Sequence, residues 1–479
     1  MWGVGRDTSL RMIVSNLILL DRVPVRAELA DRLAAAAAAA PRLRQRPDAL
    51  PGIRTRPMWV EEEAFDASRH IRTMAVPAPG EHRQILDLVT LLEPSPFDPS
   101  MSPWDVTVIE GLEGGRAGLY LRAHHCLTDG LHGVSVLRML VDRVAKATPP
   151  PELAPTESQS SVERIEVETI DLVVDLTPRR RPGTVSVTID IAGAIHPIAN
   201  GVSAAASSVS AAANSVSAAA NGVTAALRMD PFETAVRGVQ RSLDVANSVS
   251  RQVVVTGGRL SPLAPSYSMN THFETFIVPN ARTIARGLGG SRNDLLVAGA
   301  AIGLGLYHEK LGLACPELRL ASPARWRNGT GGGGSVVPTR VEIPVANAHP
   351  GPLFGVIAER LSRSRREPAL HATEMLASAI SYLPTRVLMP ALRAQAKSVD
   401  FVATSLPGVR SGQSICGAVI EQSYPLGPRL GSLMNITAFG VDDQLNVGLG
   451  LDPVAIAEPG MLVDCMMSAF QSFAGPHGS

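Results

Sequence analysis

Residues 121–133 read LRAHHCLTDGLHG, placing His124 and His125 side by side, with Asp129 and Gly130 four and five positions after the second. A histidine held at a strand end can be neutral near pH 7 and can take a proton from an alcohol, an amine or a thiol. A nearby aspartate can orient such a ring, or cap the following helix by accepting a backbone N–H. Val134, Leu137, Val141 and Val144 recur at helical spacing just after Asp129, and Gly130 relieves the turn between. Two histidines and an aspartate could also suggest a metal, but adjacent strand residues point to opposite faces, so no metal is expected. With residues taken as independent, HHxxxDG arises by accident in about one chain of this length in a thousand. Strand side chains alternate, so His124 is expected to pack inward and His125 to be the reactive one. Cys126 has no visible partner base and reads as a small buried residue.

Several elements are expected to position this pair. MIVSNLILLD (12–21) reads as a buried strand rather than a signal peptide, because Asp21 and Arg22 follow it without a small-residue cleavage site. VRAELADRLAAAAAAAP reads as a helix stopped by Pro41. WDVTVIEGL (104–112) alternates apolar and polar residues, EGG turns the chain, and RAGLYLRA (116–123) returns, so the histidines sit where a strand ends and a helix follows. Such a junction commonly holds polar groups over a crevice. Trp104 is expected to anchor the core.

At 479 residues the chain is too long for one core. Lys+Arg and Asp+Glu are both 44, and this balance argues against a nucleic-acid partner. The four cysteines, Cys126, Cys315, Cys416 and Cys465, are scattered without a CxxC pair, which fits a reducing cytosol. No apolar run of 18 residues makes a convincing membrane span. The expected setting is cytoplasmic, with a peripheral contact at a membrane or lipid inclusion left open.

Composition shifts near residue 148, where TPPPELAPTESQSS and later TPRRRPG (177–183) read as linkers. Residues 198–225 repeat every seven positions, with Val202, Val209, Val216 and Val223 interleaved by Ala206, Ala213 and Ala220. The repeat reads either as an Ala-rich helix or loosely ordered insert, or as a small-residue seam for self-association or a lipid surface. Beyond residue 266 the chain reads as α/β again. THFETFIVP and RVEIPV are strands, RNDLLVAGAAIGLGLYHEKLG (292–312) is a buried helix, and LFGVIAERLSRSRRE is an amphipathic helix. Residues 431–453 give two strands joined at Asp442-Asp443, and the glycines facing one side of the second admit another backbone or a ligand. The domain expectation is one lobe over 1–150, an insert over 151–265 and a second lobe over 266–479.

The heptapeptide HHCLTDG resembles the HHxxxDG signature of the superfamily of chloramphenicol acetyltransferases, peptide-synthetase condensation domains and bacterial wax ester synthase/diacylglycerol acyltransferases. Other stretches resemble the last group. These are WVEEEAFDASRHIRTMAVPAPG (59–80), FDPSMSPWDVTVIEGLEGGRAGLYLRAHHCLTDG (97–130), RNDLLVAGA, ATSLPG (403–408) and LNVGLGLDP. The chain departs from that group at Ser102-Pro103-Trp104, where Pro-Leu-Trp is usual, at Thr404-Ser405-Leu406-Pro407-Gly408, where an Asn is usual, and in the GTGGGGS loop (329–335).

The resemblance implies an α/β, two-lobed chloramphenicol-acetyltransferase-like fold carrying an inserted Ala/Ser-rich segment. It implies an O-acyltransferase moving a fatty acyl group from acyl-CoA to a diacylglycerol or long-chain alcohol, with acyl-CoA as co-substrate and no further cofactor. His125 would be the general base, Asp129 would hold the loop, and His124 would support it. Gly130, Asn293 and Asp294 would contribute to the substrate site. For Asn293 and Asp294 the residues themselves also allow a helix N-cap. Two alternatives remain: a related enzyme using a carrier-protein thioester or another lipid or amine acceptor, and a non-catalytic lipid-surface protein.

Overall fold

The computed structural model describes residues 12–48, 58–127, 138–142, 258–266, 270–325, 336–345, 350–365, 393–394 and 396–474. The chain divides into two units, one of 1–143 with 228–479 and one of 144–227, and every described residue belongs to the first. Asp129, Gly130 and the 198–225 repeat lie outside the described residues.

Strand β1 (Ile13–Leu20) leads into helix α1 (Arg26–Ala39), which buries Leu29, Leu33, Ala36 and Ala37 along one stripe and ends before Pro41. Strands β2 (Gln45–Asp48) and β3 (Met58–Glu61) pair with each other. Then follow β4 (Ile71–Ala75), α2 (His82–Leu92), β5 (Trp104–Glu110) and β6 (Ala117–His124). The second half of the chain carries β7 (His272–Val278), α3 (Ala281–Gly287), α4 (Arg292–Lys310), β8 (Glu317–Arg325), β9 (Val336–Pro344) and α5 (Pro350–Arg365). It ends with β10 (Phe401–Pro407), β11 (Ser414–Ile415), β12 (Ala418–Leu426), β13 (Met434–Val441), β14 (Gln444–Leu451) and α6 (Pro459–Ser472).

Two six-stranded sheets result, ordered β11-β12-β1-β6-β5-β4 and β7-β14-β13-β10-β8-β9. The first is not built by the N-terminal residues alone. β12 comes from the C-terminal half and pairs antiparallel with β1, Leu17 opposite Tyr424. The glycine face of β14 explains how this arm fits. A Cβ on Gly448 would stand 2.1 Å from Pro425 O, so the close approach is made by the backbone of β12. Asn446 Nδ2 then donates to Gln422 Oε1 at 3.0 Å across the same seam.

β5 differs from the alternation expected of it. Trp104 through Ile109 are buried on both faces, because one apolar cluster (Ile18, Leu29, Val106, Leu119) covers one side and another (Leu17, Ile85, Ile109, Tyr120) covers the other. Its polar members, Asp105 and Thr107, are therefore interior.

Candidate active site

Strand β6 delivers the histidine pair to a fixed point. His124 is its last residue, and the backbone there is held from both sides. His124 N–H donates to Pro103 O at 2.9 Å, and His125 N–H donates to Met12 O at 2.6 Å. The chain then turns at once, Leu127 N–H donating to His124 O at 2.9 Å. The two segments that flank β6 in the sheet thus clamp the residues where the strand stops.

The side chains of the pair take different environments. His124 is 5% exposed, and its Nδ1 accepts the Cys126 N–H at 3.1 Å, which leaves the ring proton on Nε2. Burial pulls its pKa down to about 4, so His124 is neutral at pH 7. His125 is half-buried. Burial pushes the half-buried Cys126 thiol up to about 12, so it stays protonated and is no nucleophile.

A buried ion pair underlies the strand end. Arg122, on the same strand face as His124, donates Nε to Asp105 Oδ1 at 2.9 Å and Nη2 to Oδ2 at 2.5 Å across the β5–β6 register. Its Nη1 reaches the carbonyls of Leu92 and Ser95, so one guanidinium ties β6 to β5 and caps the end of α2. On the opposite side, Trp104 stacks on the His70 ring with centroids 3.9 Å apart and donates Nε1 to Leu43 O at 2.8 Å. His70 Nδ1 lies 2.9 Å from Trp104 O, and its Nε2 lies 3.4 Å from Glu62 Oε2, which also accepts the Ser102 N–H at 2.9 Å. Segment 102–104 is thereby fixed just where Pro103 O receives His124.

The helical residues 138–140 after the motif are tied to the C-terminal half by Asp142. Its carboxylate accepts Ser414 Oγ at 2.7 Å and the N–H groups of Cys416 and Gly417 at 3.1 Å, and pairs with Arg32 at 2.7 Å. Burial alone would raise its pKa, but these hydrogen bonds and Arg32 carry it below the ordinary value.

Asn293 and Asp294 open α4, but the N-cap is Ser291. Asp294 sits three residues on and completes a capping box, its Oδ2 accepting Ser291 N–H at 2.9 Å and Oγ at 2.7 Å while Ser291 Oγ accepts Asp294 N–H at 3.2 Å. Asn293 Oδ1 accepts the Ser405 N–H at 3.3 Å and so ties α4 to β10. The histidines therefore end the first sheet, and Asn293 is held on the second.

Sequence reading missed Glu62, His70, Arg122 and Asp105. Arg122 and Asp105 did leave a signal, opposite charges inside two apolar strands joined by a short turn. Glu62 and His70 left none, since their partners lie on other segments.

Comparison with known proteins agrees with this architecture. The family model described as wax ester synthase/diacylglycerol acyltransferase catalytic domain matches residues 7–256, and that of the C-terminal domain of the same group matches 335–474. A putative diacylglycerol O-acyltransferase of Mycobacterium tuberculosis is 27% identical over 420 residues, 86% of this chain and 78% of the relative. An O-acyltransferase of Acinetobacter baylyi is 23% identical over 405 residues, covering 82% and 77%. Among solved structures, the wax ester synthase/diacylglycerol acyltransferase of Marinobacter aquaeolei superposes with a TM-score of 0.57 at 18% identity, covering 96% of this chain and 94% of that one. The first condensation domain of the calcium-dependent antibiotic synthetase gives 0.54 at 14%, covering 100% and 95%. Both likenesses speak for the fold. The chain is an acyltransferase belonging to the wax ester synthase/diacylglycerol acyltransferase family.

Proposed function

We propose that the protein moves a fatty acyl group from acyl-CoA to the hydroxyl of a diacylglycerol or a long-chain alcohol, with His125 as general base. The observation that carries this reading is the clamped end of β6, which presents a half-buried histidine beside a buried neutral one. A thioester is already activated, so the chemistry asks for one base and a place that excludes water. His125 takes the proton from the acceptor hydroxyl as its oxygen attacks the thioester carbonyl. The tetrahedral intermediate collapses with breakage of the C–S bond, and the proton passes from His125 to the departing thiolate. His124, with Nδ1 occupied by Cys126 N–H, holds the turn rather than the proton.

No helix among the described residues is long and apolar enough to cross a membrane. In this reading a lipid acceptor is met at the surface of a membrane or inclusion. The test is thiol release from palmitoyl-CoA with diolein or hexadecanol, in the parent and in His125→Ala. Acceptor-dependent release lost in a folded variant is the expected result, and the better acceptor names the subclass. Equal release from both proteins would remove His125 from the role.

A further inference from the structure

A basic cavity lies at the turn between α3 and α4, on the second sheet's side of the molecule. It measures about 350 Å³ and is lined by Arg282, Ala285, Arg286, Gly290, Ser291 and Arg292. Arg282 and Arg286 stand one helical turn apart and share a face of α3. Both are exposed, and among the described residues neither is matched by an ion pair. Arg292 is seated rather than loose. Its Nη1 donates to Asp442 O at 3.2 Å, and its guanidinium lies over Gly440, where a Cβ would stand 2.6 Å from Nη1. A side chain at 440 would push that guanidinium aside.

Two of the neighbouring carboxylates are already engaged. Asp294 accepts Ser291 N–H and Oγ, and Asp443 accepts Thr283 N–H at 2.9 Å and Oγ1 at 2.8 Å. Three guanidinium groups thus line one small cavity that no carboxylate lines, and the chain as a whole carries no net charge. Planar forks of N–H donors at this density suit phosphate oxygens.

The place in the fold also fits. Gly440 pairs with Pro407 at the ends of β13 and β10. Beside them, Leu406, Phe439 and Val441 pack in the same apolar cluster as Leu127, Leu140 and Val141, which follow the histidines along the chain. Strand alternation turns Gly440 toward Arg292 and Phe439 and Val441 toward that cluster, so the cavity stands at the same end of the second sheet as the segment after the histidine pair, on the sheet's other face.

We propose that the Arg282–Arg286–Arg292 cavity binds the phosphate groups of the acyl donor's coenzyme A. The proposal rests on the acyl-CoA reading above. The shared chemistry is a phosphate ester, which a phospholipid headgroup also offers. The coenzyme's phosphomonoester and pyrophosphate carry more charge than one phosphodiester and match three guanidinium groups better.

The test uses the full chain and the double variant Arg282→Ala/Arg286→Ala, with palmitoyl-CoA and palmitoyl-pantetheine, which lacks the nucleotide phosphates, as donors. The expected result is a KM for palmitoyl-CoA raised about ten- to a hundredfold in the variant, with kcat retained and the pantetheine donor unaffected. Adenosine bisphosphate should compete with palmitoyl-CoA in the parent and lose that effect in the variant. Unchanged KM values, or equal losses with both donors, would overturn the proposal. Sedimentation with vesicles of phosphatidylglycerol and phosphatidylcholine supplies the other arm. Vesicle binding lost in the variant at unchanged KM would assign the cavity to lipid headgroups and overturn the coenzyme assignment. Calorimetric titration with adenosine bisphosphate reads the cavity without turnover, so an inactive parent that still binds the probe through these arginines would sink the acyl-CoA reading alone.

Discussion

The end of β6 and the start of α4 each present two adjacent polar residues, His124-His125 and Asn293-Asp294, and they are held by different means. In both pairs one member is buried and bonded to a residue close by in the chain: His124 Nδ1 to Cys126 N–H, and Asp294 Oδ2 to Ser291 N–H and Oγ. At α4 the holding is mostly local, a capping box spanning four residues, with one longer tie from Asn293 to Ser405. At β6 it is long-range. The backbone is gripped by Met12 and Pro103, and the strand beneath by the Arg122–Asp105 pair. A reactive side chain has to be placed against groups from elsewhere in the chain, and only distant contacts fix such a position. A helix start needs only its own first turn.

The largest effect that sharpens this contrast is chemical. His125→Ala should lower kcat by about 10²- to 10⁴-fold, the usual contribution of a positioned general base, while the melting temperature of the variant stays close to that of the parent. Next comes Arg122→Ala, which removes both of that guanidinium's bonds to the buried Asp105 carboxylate, leaving it Arg72 alone, and frees the carbonyls of Leu92 and Ser95. Urea unfolding should show a loss of about 3–5 kcal/mol, and a loss under 1 kcal/mol would break the idea that this pair supports the strand end.

The third effect depends on pH. His124 titrates near 4 in the fold, against an ordinary 6.5, so the unfolded chain binds the extra proton first. Its contribution is therefore present above pH 6.5 and is lost as the pH falls toward 4, up to about 3 kcal/mol. Urea midpoints of the parent and His124→Gln should converge on acidification across that window. Parallel curves would deny His124 its depressed pKa.

Smallest are the effects at the start of α4. Asp294→Ala should cost about 1 kcal/mol in thermal or urea unfolding, as loss of a cap does. Asn293→Ala gives up one hydrogen bond of 3.3 Å to Ser405 and should cost less than that. An Asn293 variant more destabilised than the Asp294 variant would reverse the local-versus-distant contrast.

The sequence by itself determined whatever a few neighbouring residues dictate. The strand at 13–20, the helix stopped by Pro41, the hairpin around Glu113–Gly115, the buried helix from Arg292 and the two strands turning at Asp442-Asp443 are all present where their patterns place them. Their causes are local: side-chain period, a proline without an N–H, and glycines in the turn, where Gly114 and Gly115 take positive φ. The heptapeptide likewise marked the strand end, because placement after a period-two run is visible in the letters.

Tertiary structure alone decided which segments meet there. Nothing in residues 418–426 says that they join a sheet with residues 13–20, about four hundred positions away, since pairing and register follow from burying both faces at once. The same holds for Glu62 beneath Ser102, for His70 stacked on Trp104 and for the three arginines that converge on one cavity. Each of these contacts is set by packing between elements, which local sequence does not encode, and those around 102–104 fix the strand end that carries His124 and His125.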